Sequence, residues 1–230
     1  MLEAIKLSKK YDGQDALIDL NLSVSPGEIY CLLGQNGAGK TTTINLFLGL
    51  IKPSSGRALI DGVEVGNAAL SRQWIAYIPE IVQLYGNMSG MENLDFFSRL
   101  AGFKLSKEEL SATLMKAGLQ EEAIHRKLST YSKGMRQKVG IAIALSKNAK
   151  VIFMDEPTSG LDPKATDEFT SICKELAAEG KSIFMATHDI FNAVNVGTRI
   201  GIMKEGQLIY TSETSDISAS EMQELYLKTI

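Results

Sequence analysis

Two cysteines in 230 residues, Cys31 and Cys173, show neither metal-ligand spacing nor a redox pair, so each is expected to be a small core residue. No uncharged run approaches the roughly 20 residues that cross a bilayer, and the opening stretch MLEAIKLSKKYDGQD lacks the apolar segment of a signal peptide. A cytosolic chain is expected. Basic residues are not in excess: 24 Lys and Arg against 27 Asp and Glu leave a net charge of -3. That balance gives no reason to expect nucleic acid as a partner, because phosphate binding over a wide face shows as a basic surplus. Internal repeats and low-complexity tracts are missing too. What is present is a 44% hydrophobic chain, long enough for one large domain or a core with an inserted lobe.

Residues 17–34, LIDLNLSVSPGEIYCLLG, read as two strands around a Pro26-Gly27 turn, the second continuously apolar. A helix is expected from Lys40 to about Leu50, then a hairpin in GRALIDGVEV around Asp61-Gly62, then a strand in QWIAYIP that Pro79 ends. From about 81 to 148 the pattern turns helical, with segments near 90–100, 107–117 and 133–146, which reads as an inserted lobe. Strand character returns in KVIFMDEP. A helix over about 163–179, the strand KSIFMATHD, a short helix, the strand TRIGIMKEG, QLIYTS behind a Glu205-Gly206 turn and an amphipathic tail helix follow. Alternating strands and helices imply an α/β fold with a parallel sheet wound by helices on both faces.

The stretch GQNGAGKTT, Gly34 to Thr42, matches the phosphate-loop pattern G-x-x-x-x-G-K-[ST] in its required place between a strand and a helix. Gly34, Gly37 and Gly39 let the backbone of Gln35, Asn36 and Ala38 turn its N–H groups inward. The helix N-terminus adds partial positive charge, Lys40 reaches outer phosphates, and the Thr41 hydroxyl offers a magnesium ligand, with Thr42 next to it. A buried strand ending in Asp155 supplies the acidic group that holds Mg²⁺ beside phosphates. Glu156, one residue on, stands where a carboxylate orients or deprotonates an attacking water, which predicts hydrolysis of the nucleotide.

Four motifs in order, the phosphate loop, YSKGMRQK, FMDEPTSGLD and MATHD, resemble the nucleotide-binding domain of ATP-binding cassette (ABC) transporters across nearly the whole chain. The resemblance implies a phosphate-loop NTPase core at about 1–80 and 149–230, with an N-terminal antiparallel β subdomain and a helical subdomain inserted at about 81–148. It implies ATP as substrate and Mg²⁺ as cofactor. Tyr131 to Met135, YSKGM, stand where that family carries LSGGQ, which implies that Ser132 and Gly134 reach the γ-phosphate held by a second cassette copy, identical or paralogous. By the same resemblance Asp162 touches the opposite site, His188 senses the γ-phosphate, and Tyr11 stacks on adenine. The local readings stay beside these: Ser132 and Asp162 as helix caps, Tyr11 as an edge aromatic on a sheet.

Glu80 is the main departure, in YIPE where the family mostly carries glutamine; a carboxylate there adds a metal ligand and repels ATP and Glu156. PE together with SKGM resembles cassettes that serve ABC-2-type exporter permeases. IPEIVQLYGNMSGMENL also resembles the ATPase serving copper maturation of nitrous oxide reductase. The leading reading is an ATPase subunit, peripheral on the inner membrane face, driving a permease carried by another chain, with a coupling surface in VQLYGNMSGMENLDFF. A soluble cassette ATPase acting on DNA or ribosomes, and a small-molecule kinase on the same loop, are the alternatives.

Overall fold

The computed structural model describes residues 1–65 and 74–229. Two sheets share the chain. The first is antiparallel, in the order β2-β1-β4-β5, from β1 (Leu2–Tyr11), β2 (Gln14–Val24), β4 (Ser55–Ile60) and β5 (Val63–Glu64). The second runs β10-β9-β3-β8-β7-β6, from β3 (Ile29–Leu33), β6 (Ile75–Ile78), β7 (Val151–Asp155), β8 (Ser182–Thr187), β9 (Arg199–Lys204) and β10 (Gln207–Glu213). Every pair in the second sheet is parallel except β9 with β10.

β3 reads as an unbroken apolar run because both of its faces are covered. Ile29, Cys31 and Leu33 point into a core shared with the helices, whereas Tyr30 and Leu32 point into a second core shared with the antiparallel sheet. That second core is aromatic at its centre, where Phe47 and Phe153 stack with ring centroids 5.6 Å apart and Phe184 lies 5.8 Å from Phe153. Both cysteines are fully buried in the first core, and burial pushes the Cys31 thiol up to about 12.

Helix α1 (Lys40–Phe47) follows β3. It stops short of the expected Leu50 because Gly49 turns left-handed at φ 67° and the Leu50 amide donates back to the Asn45 carbonyl, a closure that glycine favours. Between β6 and β7 lie α2 (Gly90–Leu100), α3 (Lys107–Lys116) and α4 (Lys133–Ser146). Ser89 and Ser106 start the first two with capping boxes completed by Glu92 and Glu109. After β7 come α5 (Pro163–Ala178), α6 (Ile190–Val196) and α7 (Ala219–Thr229), whose Met222 is fully buried.

Two strand expectations change. β1 was not visible in the sequence, because its apolar rhythm breaks: Leu2 and Ala4 are buried, then Leu7. The break coincides with Lys6 at φ 46° and a register shift against β2 between Ala4 and Leu7, a bulge that moves the inward face by one residue. Tyr11 is therefore the last residue of a strand. β2 and β3 are also no hairpin: β2 pairs with β1, and β3 enters the middle of the other sheet between β8 and β9. The hairpin at Asp61-Gly62 is present, with Ile60 opposite Val63. The expected strand from Gln73 runs from Ile75; Gln73 itself lies outside the described residues.

Candidate nucleotide site

β3 leaves the sheet at Leu33 and α1 begins at Lys40, so residues 34–39 are stretched over the end of the parallel strands, where ligands of open α/β sheets collect. A side chain at Gly34 would place its Cβ 2.6 Å from the Met203 carbonyl oxygen, and one at Gly39, at φ 110°, would sit 2.7 Å from that of Ala16. Glycine is required at both by close approach. The Lys40 side chain is buried; its ammonium donates to the Gly34 carbonyl at 2.5 Å and that of Gln35 at 3.3 Å, and lies 3.7 Å from Glu156 Oε1. Thr41 Oγ1 donates to Asp155 Oδ2 at 3.1 Å. Gln35, Asn36, Gly37, Gly39, Lys40, Thr41, Thr42, Glu80, Asp155 and Glu156 thus meet in one cleft of about 210 Å³. Ala38 faces the neighbouring hollow beside Lys204 and Glu205.

The two carboxylates of the DE pair have opposite surroundings. Asp155 is held above the usual carboxylate range, first by burial, with the charges of Glu156 and Glu80 adding to it and the Thr41 hydrogen bond opposing. Glu156 takes a left-handed backbone, φ 45°, uncommon for a residue with a side chain. Its Oε2 accepts from Thr187 Oγ1 at 3.2 Å and from the His188 amide at 3.3 Å, with His188 Nδ1 at 2.8 Å. Its Oε1 is buried and has no hydrogen-bond partner among the described residues. A carboxylate fixed on one oxygen and free of hydrogen bonds on the other, which faces the Lys40 ammonium at 3.7 Å, is suited to hold a water once that ammonium turns to phosphate.

Thr41 and Asp155 present adjacent hard oxygen donors, the ligand type magnesium prefers. Among the described residues no three His, Cys, Asp or Glu side chains form a metal cage, so the pair fits a cation that takes its other ligands from phosphate and water. Glu80 lines the same cleft, and its Oε1 accepts from Ser159 Oγ at 3.2 Å. Because the Glu80 charge raises the Asp155 pKa, Glu80→Gln is expected to move the Asp155 titration to lower pH. Carbon-13 NMR of the metal-free chain reads this directly; an unmoved Asp155 would place the Glu80 charge out of reach.

Ser132, Gly134 and Asp162 line a different cleft, with Met135, Ala165 and Glu168, and not the phosphate-loop cleft. Both capping readings hold: Ser132 Oγ accepts from the Met135 amide at 3.2 Å, and Asp162 Oδ1 from the Ala165 amide at 2.9 Å ahead of Pro163. Tyr11, 43% exposed, lies at the end of β1 with the Lys9 ammonium 4.8 Å from its ring centre, and it is not among the residues lining the phosphate-loop cleft. Sequence reasoning passed over Thr187, Ser159 and Gln137. The last was findable: it stands four residues after Lys133, on the same face of α4.

The sequence model of the ABC transporter family matches residues 17–159. The chain belongs to that family. This ABC protein is 36% identical to the uncharacterized ABC transporter ATP-binding protein YhcH of Bacillus subtilis over 96% of its own length and 72% of that protein's. It is also 36% identical to the bacitracin transport ATP-binding protein BcrA of Bacillus licheniformis, over 91% of itself and 68% of BcrA. Its fold matches the dimeric post-hydrolysis state of the ATP-binding cassette MJ0796 bound to ADP and phosphate, with a TM-score of 0.82, 27% identity, and 93% and 99% of the two chains covered. The antiparallel sheet, the mostly parallel sheet and the helices between β6 and β7 are thus the phosphate-loop NTPase α/β fold that the motifs implied.

Proposed function

We propose that this ABC chain hydrolyses ATP and, by pairing with a second cassette, drives a permease carried by a separate chain. The observation that carries the reading is the separation of two half-sites. Lys40, Thr41, Asp155 and Glu156 meet in one cleft, while Ser132, Gly134 and Asp162 open in another. A phosphate gripped by the first group needs the second group from another copy to be enclosed.

In this reading Lys40 and the loop amides hold the outer phosphates, and Thr41 and Asp155 hold Mg²⁺, which supplies charge neutralisation on the phosphate oxygens. Glu156 orients water with its free Oε1 and takes its proton, and His188 keeps the carboxylate turned. Tyr11 is the proposed adenine platform. Residues of about 81–148 form the proposed helical subdomain, and Tyr85 and Phe96, 49% and 40% exposed and packed edge to face, are its proposed docking surface for the permease. No helix among the described residues is long and apolar enough to cross a membrane; pairing with the proposed permease would place the chain on the inner membrane face. The likeness to BcrA, a bacitracin transport ATP-binding protein, supports a role in transport, whose direction we propose to be export.

Incubation of the purified chain with ATP and Mg²⁺ tests the reaction. With a mixture of small metabolites added as possible acceptors, free phosphate released in proportion to ADP is expected; a phosphorylated metabolite in its place would make the chain a kinase and overturn the assignment.

A further inference from the structure

Two of the departures from the family pattern, Glu80 and Lys133 (the latter in YSKGM where the family carries LSGGQ), are joined through one residue. Ser159 Oγ donates to Glu80 Oε1 at 3.2 Å, and the Ser159 carbonyl accepts from the Lys133 ammonium at 2.5 Å. Lys133 is the first residue of α4, directly after Ser132. Gln137, one turn further along α4, is buried and donates both to the Glu80 carbonyl at 3.3 Å and to the Pro157 carbonyl at 3.1 Å. The loop after β6, the turn after β7 and the head of α4 are therefore bound together by side chains rather than by a shared strand or helix. Glu80 is held by these bonds at the edge of the cleft that contains Asp155, near enough for its charge to be felt there.

We propose that Ser159 is a positioning residue that latches the Glu80 carboxylate away from the metal-binding pair and links it, through Lys133, to the turn presenting Ser132 and Gly134. The physical basis is competition for one acceptor. A Glu80 oxygen that accepts the Ser159 hydroxyl is directed along that bond, and drawing it toward a cation beside Asp155 requires the bond to break. The Ser159 carbonyl anchors Lys133, so a shift of Ser159 on release of Glu80 is carried to the head of α4. Occupancy of one nucleotide site is thereby tied to the posture of the residues offered to the other, a coupling carried by named hydrogen bonds. The latch rests on the ATPase reading above.

Its test is the Mg²⁺ midpoint for retention of labelled ATP in equilibrium dialysis, measured on chains carrying Glu156→Gln so that turnover does not intrude. Ser159→Ala releases Glu80 and is expected to lower the midpoint about threefold to tenfold, the size of one ordinary net hydrogen bond at an exposed site. Ser159→Thr, which keeps the hydroxyl, is expected to restore it. With Glu80→Ala already present, Ser159→Ala should move nothing, since the group it releases is gone. Lys133→Met should shift the midpoint in the same direction as Ser159→Ala and add nothing to it. A midpoint indifferent to Ser159→Ala, or one that shifts equally without Glu80, overturns the latch while leaving the ATPase reading intact. A chain that retains no ATP at any Mg²⁺ concentration overturns both.

Discussion

Lys40→Ala is expected to weaken ATP binding by about 100-fold or more, on the geometry of the phosphate loop. The Lys40 ammonium is buried and serves two loop carbonyls, with Glu156 within 3.7 Å. Removing it deletes the cation that outer phosphates would meet. It also leaves the negative charges of Glu156, Asp155 and Glu80 uncompensated around a highly charged anion. Two charge-assisted contacts at about 1.5–3 kcal/mol each correspond to a loss of affinity on the order of 100-fold or more. Equilibrium dialysis with labelled ATP reads it, and an unchanged circular dichroism melt separates lost binding from lost folding. Affinity within a few-fold of the parent chain would remove the phosphate loop from the site.

Glu156→Gln is expected to act in the opposite sense, keeping ATP and stopping turnover. The amide retains an oxygen able to accept from Thr187 Oγ1 and the His188 amide, so local geometry survives. It loses the capacity to take a proton from water, a role worth about 10²–10⁴ in rate. Asp155 and Thr41 are untouched, so magnesium and nucleotide still bind. With ATP unconsumed between Lys40 of one copy and Ser132 and Gly134 of another, a lasting dimer is expected, further helped by the loss of one negative charge at each site. Light scattering coupled to size exclusion checks the mass with and without ATP. A strictly monomeric variant with ATP bound would show that the isolated chain does not close on itself, and would shift the cause of pairing to the permease.

Much of this site was legible because its chemistry is local. A phosphate loop needs its glycines and lysine at fixed spacing, and the DE pair needs an apolar strand before it, so Gly34, Lys40, Asp155 and Glu156 announce themselves along the chain. Capping is equally local, and Ser132 and Asp162 were readable as caps for that reason. What escaped was set by distant partners. The bulge at Lys6 that hides β1 is defined only against β2, and β3's place between β8 and β9 follows from strands about 150 residues later. Ser159 in TSGLD looks like an ordinary turn residue until Glu80 and Lys133 are brought to it from both sides. Glu80 itself stood out as unusual, but the hydroxyl that directs it could not be read from spacing.

The phosphate loop is fastened at its back by the other sheet. The Gly206 amide, in the turn between β9 and β10, donates to the Ala38 carbonyl at 2.9 Å, and the Gly206 carbonyl accepts from the Ile18 amide of β2 at 2.8 Å. A single residue, through its amide on one side and its carbonyl on the other, thus rivets the cradle to the antiparallel sheet. The conformational freedom of the loop is surrendered when the chain folds, not when a nucleotide arrives, so little ordering cost is left to weaken binding. The rivet also makes the two sheets one mechanical body at the place where phosphate lands: tilting the antiparallel sheet would drag Ala38 with it and alter the curvature of the anion pocket itself.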